Sequence, residues 1–192
     1  MRTTTLFGAT LALVTSFGGV ALQSSQAVQL ADGTVSFEKS PRLLGATTTH
    51  NQIYAWGATY YFTLELPENA GEPLRQVTIN QRQGFDNIRF KLTDSRAFEG
   101  TPRNKGERLT LAEVTQNAET KAISVTFDPP VMPGKTVTVG LRPVRNPWVG
   151  GVYLFGVTAF PAGEKPYGLY LGVGRLQFYE PDTDFLFLLL GV

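Results

Sequence analysis

The sequence predicts an all-β protein, a single antiparallel β-sandwich of eight to ten strands that is immunoglobulin-like or jelly-roll-like. Three observations predict this fold. Short segments alternate apolar and polar side chains with a period of two, as half-buried strands require. The chain has 20 glycines and 12 prolines in 192 residues, which leaves little room for long helices. Turn signals recur between the alternating segments.

The alternating segments define the predicted strands in chain order. They are residues 61–66, 75–80, 88–92, 121–127 and 135–141, with a weaker segment at 108–111. The side chains predicted to point inward are Phe62, Leu64, Leu66, Val77, Ile79, Ile88, Phe90, Leu92, Ile123, Val125, Phe127, Val137, Val139 and Leu141. Residues 153–160 are apolar on both faces, which is typical of a central strand.

Turn signals separate these strands at residues 66–73 and 128–135. Pro133 and Gly134 suit the two central positions of a type II turn, because proline presets φ and glycine tolerates a positive φ. Two short segments favour helix instead. They are residues 95–100 and residues 109–122, where Ala, Glu and Gln have high helical propensity.

Gly172 and Gly174 form a Gly-x-Gly pair in the last predicted strand. The apolar residues before Gly174 have one parity and those after it have the other, so the inward face changes between Val173 and Leu176. We expect a β-bulge beside Gly174. A dinucleotide fingerprint needs a third glycine and a following helix, but Gln177 occupies that position and strand-like residues follow.

Residues 1–27 have the pattern of a secretory signal peptide. Arg2 supplies the positive start, residues 6–22 are apolar, and Ser25 and Ala27 have the small side chains and spacing that a signal peptidase recognises. A membrane anchor is the alternative, but Gly, Thr and Ser interrupt a stretch shorter than the ~20 apolar residues of a span. We expect cleavage after Ala27 and a periplasmic, envelope-associated or extracellular protein with no transmembrane span in the mature chain.

The composition of the chain excludes several kinds of site and partner. The chain has no cysteine, which excludes disulfides, thiolate metal sites and a cysteine-linked lipid anchor. It has 17 basic and 16 acidic residues, and loss of Arg2 with the signal leaves 16 of each. Nucleic-acid binders usually carry a concentrated basic face, so no nucleic-acid partner is expected. The one local basic cluster, residues 142–147, is predicted to be a solvated loop.

Four segments carry a resemblance to a known family. "YLFGVTAFPAG" at 153–163 and "GLYLGVGRLQFY" at 168–179 are the more specific pair, with "VQLADGTVSFEKSPRL" at 28–43 and "FDPPVMPGKTVTVGLRPVRNP" at 127–147. They resemble an exported, mainly cyanobacterial family catalogued as domain of unknown function 2808. The resemblance covers residues 28–179. It implies export and carries over no catalytic residue.

Candidate chemical groups are few. His50 is the only histidine, and no Gly-x-Ser-x-Gly motif presents a nucleophile, so no catalytic residue, zinc site or cofactor is predicted. Glu180, Asp182 and Asp184 place three carboxylates in five residues and form a weak calcium candidate. The EF-hand pattern is absent, and a solvated acidic turn is the preferred interpretation.

Aromatic side chains give the candidate binding surface. Tyr54, Trp56, Tyr60 and Trp148 are predicted to form an apolar platform for a sugar ring or another protein, because aromatics with a polar handle are enriched at interfaces. The alternative is that they cap the ends of the sandwich.

Residues 185–192, including Phe185 and Phe187, contain no polar side chain. As a helix they would extend about 12 Å, far less than a bilayer core. As a strand they would pair with a sheet edge of this chain or of a partner. Three alternatives remain for what buries these apolar side chains: the protein's own core, a partner or a peripheral membrane surface.

The sequence thus predicts a signal peptide at 1–27, a β-sandwich domain at 28–184 and an apolar tail at 185–192. The predicted function is a non-enzymatic structural or protein-interaction module that contacts an envelope protein or complex. The alternative is a module that binds carbohydrate or another small ligand through its surface aromatics.

Overall fold

The computed structural model describes residues 28–29 and 32–181. The predicted signal segment and residues 182–192, with Asp182, Asp184, Phe185 and Phe187, lie outside the described residues. Every regular element in the described part is a strand. The strands are β1 (Val28–Gln29), β2 (Val35–Ser36), β3 (Arg42–Thr48), β4 (Tyr60–Glu65), β5 (Leu74–Gln83), β6 (Phe90–Gly100), β7 (Lys105–Leu109), β8 (Leu111–Gln116), β9 (Ile123–Val131), β10 (Thr136–Pro143), β11 (Gly151–Pro161) and β12 (Leu169–Phe178).

Ten of these strands form two five-stranded sheets. The first sheet has the order β3-β4-β10-β6-β7, and the second sheet has the order β12-β11-β5-β9-β8. All pairs within both sheets are antiparallel. The two sheets pack face to face, with β3 beside β12 on one side and β6 beside β8 on the other. The predicted antiparallel β-sandwich is confirmed.

The core lies between the sheets and follows the period-two pattern. All fourteen side chains predicted to point inward are buried in it or pack against it. Aromatic rings dominate its centre, where Phe155 contacts Phe62 and Tyr60 edge-on at centroid distances of 5.5 and 6.1 Å. Burying each large apolar side chain contributes about 1.5–3 kcal/mol, so this stripe accounts for much of the folding energy.

The two predicted helical segments are strands, and those predictions are wrong. Residues 95–100 complete β6, and residues 109–122 contain the end of β7, all of β8 and a turn. Leu111 and Val114 of β8 pack against the core while their backbone pairs with β9. These tertiary contacts outweigh the helical propensity of Ala, Glu and Gln, which amounts to tenths of a kcal/mol per residue.

The predicted turn at Pro133 and Gly134 is confirmed, but it begins after Val131 and not at residue 128. Gly134 has φ +84°, and its N–H donates to the Leu66 carbonyl at 2.9 Å. The strand before the turn, β9, continues to Val131 through two prolines. Its pairing with β5 is irregular between Thr126 and Val131, so the prolines lie where that ladder is interrupted.

The last strand contains a bulge, but not at the predicted residue. Val157 pairs with Gly172 and Thr158 pairs with Tyr170, which leaves Leu171 as the extra residue. Gly172 has φ +118°, a conformation that favours glycine. The inward face therefore changes before Val173, which is 46% exposed instead of inward-facing as predicted.

Because of this earlier bulge, a side chain at position 174 would face the core. A Cβ atom at Gly174 would lie 2.8 Å from the Ala46 Cβ and 3.2 Å from the Phe62 ring. A glycine is therefore needed where β12 of the second sheet meets β3 and β4 of the first. The Gly-x-Gly pair is explained by backbone conformation and packing.

Antiparallel pairing places the chain reversals at two opposite ends of the sandwich. One end carries loops 49–59, 84–89, 117–122 and 144–150 and the residues after β12; the other carries loops 66–73, 101–104, 132–135 and 162–168. Within the part of the chain that the structure describes, no helix is long and apolar enough to cross a membrane.

We expect Gly174→Ala to lower the free energy of unfolding by about 1–3 kcal/mol, because the added methyl group overpacks the contact with Ala46. Chemical denaturation measures this change. The double variant Gly174→Ala, Ala46→Gly removes the facing methyl group and should recover part of the loss. No recovery would show that the contact between the two sheets is not the cause.

Candidate functional site

Five exposed aromatic side chains lie at one end of the sandwich, which we call the aromatic end. They are Tyr54 (50% exposed), Trp56 (69%), Phe85 (79%), Trp148 (55%) and Tyr179 (49%). Three loops and the chain after β12 supply them. Three of the predicted platform residues, Tyr54, Trp56 and Trp148, thus lie at the same end and are accessible, although Trp148 is far from the other two in the sequence.

Tyr60, the fourth predicted platform residue, is not on this surface. It is fully buried and its ring lies 5.5 Å from the Phe178 ring and 5.8 Å from the Phe90 ring. As the first residue of β4 it has the inward parity of Phe62, so its ring completes the core beneath the loops. Burial, with a smaller contribution from the Tyr153 phenol, raises the pKa of Tyr60 far above its ordinary value.

Asn146 ties the loops of the aromatic end to this core. The Asn146 Nδ2 donates to the carbonyls of His50 at 2.9 Å and Gln52 at 2.8 Å, and its Oδ1 accepts from the Tyr60 hydroxyl at 2.9 Å. Its backbone N–H donates to the Ala55 carbonyl at 2.9 Å. Asn146 is completely buried, so the expectation of a solvated loop at residues 142–147 is wrong at this position.

Asp86 joins loop 84–89 to loop 144–150. Its carboxylate accepts from the backbone N–H groups of Trp148 at 2.5 Å and Val149 at 3.3 Å. The Gln81 side chain holds the same loop by donating to the Asp86 carbonyl and accepting from the Ile88 N–H. Phe85 therefore projects from a loop that is fixed on both sides.

Tyr179, the residue after β12, fixes loop 49–59. Tyr179 donates its N–H to the Asn51 carbonyl at 2.8 Å and accepts from the Ile53 N–H at 2.9 Å. The next amide, of Tyr54, donates to the Pro147 carbonyl at 3.0 Å. Tyr54 has φ +59°, which is uncommon for a bulky residue and persists where surrounding contacts hold the backbone. The exposed aromatics are thus held in place by backbone hydrogen bonds.

Trp148 combines an aromatic surface with positive charge. The Arg145 guanidinium lies 4.3 Å from the Trp148 ring centroid, within cation–π range. A shallow cavity of about 320 Å³ lies beside them and is lined by Phe85, Asp86, Arg89, Arg145 and Trp148 among others. Chemically, this end presents apolar ring faces bordered by guanidinium groups.

The remaining candidate groups are placed as follows. His50 lies exposed in loop 49–59, with its Nδ1 3.1 Å from the Thr49 hydroxyl. Of the weak calcium candidate, only Glu180 belongs to the described residues. Among residues 32–181 no group of three or more histidine, cysteine or carboxylate side chains is placed to hold a metal ion.

Sequence reasoning missed four residues of this end: Phe85, Asp86, Asn146 and Tyr179. Phe85 had a usable signal, because it stands between Gly84 and the turn formers Asp86 and Asn87, where an apolar side chain has no strand to belong to. The role of Asn146 had no signal in the sequence, since the residues that it hydrogen-bonds lie up to 96 residues away.

These features define a class: an antiparallel β-sandwich whose loops present a fixed aromatic surface at one end. The chain belongs to the family described as "Protein of unknown function (DUF2808)", which matches residues 34–178. The family predicted from the sequence is thereby confirmed. No curated protein matches the chain.

Several solved structures are similar to this chain at low identity. One is BslA, a bacterial hydrophobin, with 15% identity and a TM-score of 0.46 over 76% of this chain and 98% of that one. Another is the C-terminal domain of the antigen I/II-family protein AspA of Streptococcus pyogenes, with 13% identity, a TM-score of 0.41 and coverage of 72% and 46%. A third is the collagen-binding domain of a Staphylococcus aureus adhesin, with 8% identity, a TM-score of 0.34 and coverage of 64% and 87%.

We expect Asn146→Ala to lower the free energy of unfolding by about 1–3 kcal/mol, because it leaves buried hydrogen-bonding groups without partners. The amides of Ile53 and Tyr54 should exchange faster with solvent, as measured by hydrogen exchange. Asn51→Ala is the matched control, since its side chain is exposed in the same loop. Equal effects of the two substitutions would contradict the role assigned to Asn146.

Alkaline pH should destabilise the protein through Tyr60. Its pKa is raised in the folded state, so above the ordinary tyrosine pKa the unfolded chain loses a proton that the folded chain keeps. We expect one tyrosine to contribute a fall of about 1.4 kcal/mol in unfolding free energy per pH unit above about pH 10. Tyr60→Phe should remove this contribution from the slope, whereas the control Tyr170→Phe should keep it. An unchanged slope in Tyr60→Phe would refute the assignment.

Proposed function

We propose that this protein is an exported, non-enzymatic interaction module of the cell envelope that binds a partner protein through its aromatic end. The observation that carries the proposal is the placement of five exposed aromatic side chains on hydrogen-bonded loops at one end of the sandwich. Exposed aromatics are costly to leave in water, and several at one end are typical of an interaction surface.

The composition of the aromatic end supports a protein partner. Tryptophan, tyrosine and arginine are the residues that most often dominate binding energy at protein interfaces. Trp56, Trp148 and Arg145 lie here, and Arg145 already packs on Trp148. Each aromatic side chain can bury about 150–250 Å², so five of them can supply the apolar centre of an interface of standard size.

Fixed loops support the same proposal. Binding costs free energy when mobile loops become ordered, and a surface that is already ordered avoids that cost. Asn146 and Asp86 hold the loops that carry Trp56, Phe85 and Trp148.

Phe85 distinguishes a protein partner from a glycan. It is the most exposed of the five aromatics, and its ring has no polar group to bind a sugar hydroxyl. A glycan site remains the second candidate because of Trp56, whose 69% exposure suits stacking of a sugar ring. Both candidates use Trp56, but only the protein-partner proposal requires Phe85.

Export and the tail belong to the same proposal. We propose that residues 1–27 direct export and are removed, which leaves Val28 as the first residue. Residues 185–192 follow β12, whose last residue lies at the aromatic end. We propose that Phe185 and Phe187 extend the docking surface there.

The test is site-specific photocrosslinking in the native cells, with benzoylphenylalanine in place of Phe85. We expect a discrete adduct that weakens strongly when Trp148→Ala is added, because neighbouring anchors of one interface act together. A version ending at Asp184 should also give less adduct, because it lacks Phe185 and Phe187.

Benzoylphenylalanine in place of Tyr167 is the matched control, since Tyr167 is 57% exposed in a loop at the opposite end. Adducts of equal yield from both ends, or none from Phe85, would overturn the proposal. Binding of neutral glycans by the purified protein that is lost in Trp56→Ala and kept in Phe85→Ala would favour the glycan-binding function instead.

A further inference from the structure

The outer face of the first sheet carries a second candidate surface, which none of the five exposed aromatic side chains of the aromatic end lines. A groove of about 520 Å³ opens there, and we call it the cationic groove. Its charged lining residues are Arg96, Lys105, Arg108, Arg142 and Asp94. Four cations therefore face one carboxylate, in a chain whose total charge is close to neutral.

Few of these positive charges are neutralised within the described residues. Asp94 lies 3.7 Å from the Arg142 guanidinium and is the acid of the groove. In residues 32–181 no carboxylate lies within ion-pair distance of Arg96, Lys105 or Arg108. The groove thus keeps an excess of positive charge.

Two of the cations are held against one aromatic ring. The Arg96 guanidinium and the Lys105 ammonium each lie 5.6 Å from the Tyr61 ring centroid, so they cannot be further apart than twice that distance. Lys105 is also 5.5 Å from the centre of the Phe98 ring. The two positive charges are therefore close enough for neighbouring anionic groups of one ligand to contact both.

The backbone preorganises this arrangement. A Cβ atom at Gly140 would lie 2.9 Å from the Tyr61 ring and 3.2 Å from the Arg96 Cγ, so both side chains lie across this glycine. Arg96 is then fixed by hydrogen bonds to the Tyr61 hydroxyl at 2.7 Å and the Thr59 hydroxyl at 3.1 Å. A fixed guanidinium loses little freedom when it binds an oxyanion.

We propose that the cationic groove binds an acidic polysaccharide, a glycan chain that carries carboxylate or sulfate groups. Its charge selects an anion, and its cations come from the adjacent strands β10, β6 and β7, which suits a chain with repeated charges. Tyr61 and Phe98 are 4% and 6% exposed, so no ring face is free to stack a nucleic-acid base. The exposed large hydrophobic side chains of residues 32–181 lie outside the groove, so it has no apolar anchor for a membrane.

This site is independent of the proposed partner site. It lies on a sheet face, whereas Phe85 and Trp148 lie on loops at the aromatic end. The residues substituted to test one surface, Phe85 and Trp148 or Lys105 and Arg108, do not line the other, so either proposal can fail alone.

The test is titration calorimetry of the purified protein with polygalacturonate and dextran sulfate, with uncharged dextran as the reference. We expect binding to at least one acidic polysaccharide, weakened by added salt. Lys105→Ala with Arg108→Ala should weaken it at least about tenfold, because two charge-assisted contacts are lost. Lys105→Arg with Arg108→Lys should keep most of the affinity, which separates charge from folding.

Arg82→Ala with Arg175→Ala is the matched control. It removes the same net charge from the outer face of the second sheet, where Arg82 lies 6.0 Å from the Tyr170 ring centroid. Equal weakening by both double variants, or no binding to either acidic polysaccharide, would overturn the proposal. Equal or tighter binding of a DNA duplex or of anionic lipid vesicles, lost in the same variant, would also overturn the assignment to a glycan.

Discussion

The hydrogen bond from the Tyr60 hydroxyl to Asn146 joins the aromatic core to the loops at the aromatic end. Tyr60 packs among the aromatic rings of the core, and the Asn146 Nδ2 donates to two carbonyls of loop 49–59. Because both residues are fully buried, an unmade bond here would leave polar groups without water or protein partners. The position of Trp56 and Tyr54 therefore depends on a contact made beneath the surface.

Glycines set the second constraint, the distance between neighbouring side chains. Gly174 lets β12 lie against Ala46 and Phe62 where the two sheets meet, and Gly140 lets Tyr61 and Arg96 lie across the outer face of the first sheet. At each of these glycines, neighbouring side chains occupy the space that a Cβ atom would need. The core and the cationic groove thus depend on the same device, a missing Cβ atom in a strand.

The two surfaces that result differ in chemistry and in location. The aromatic end is built from loops and presents exposed rings bordered by guanidinium groups, whereas the cationic groove is built from strands and presents positive charge without exposed rings. Taken together, the two proposals describe a sandwich that bridges a protein at one surface and an acidic glycan at the other.

The sequence by itself determined most of the strands and inward faces and the turn at Pro133-Gly134, because alternation and turn chemistry are local properties that a single segment displays. Four segments also identified the family by resemblance. Tertiary structure decided the rest. It turned the helix-prone residues 109–122 into a strand and a turn, moved the bulge to Leu171, and buried Tyr60 while leaving Phe85 exposed. It also collected cations from β6, β7 and β10 on one face, although the charges are mixed along the chain. Such placement depends on which strands become neighbours, and that is fixed only when two sheets close over one core.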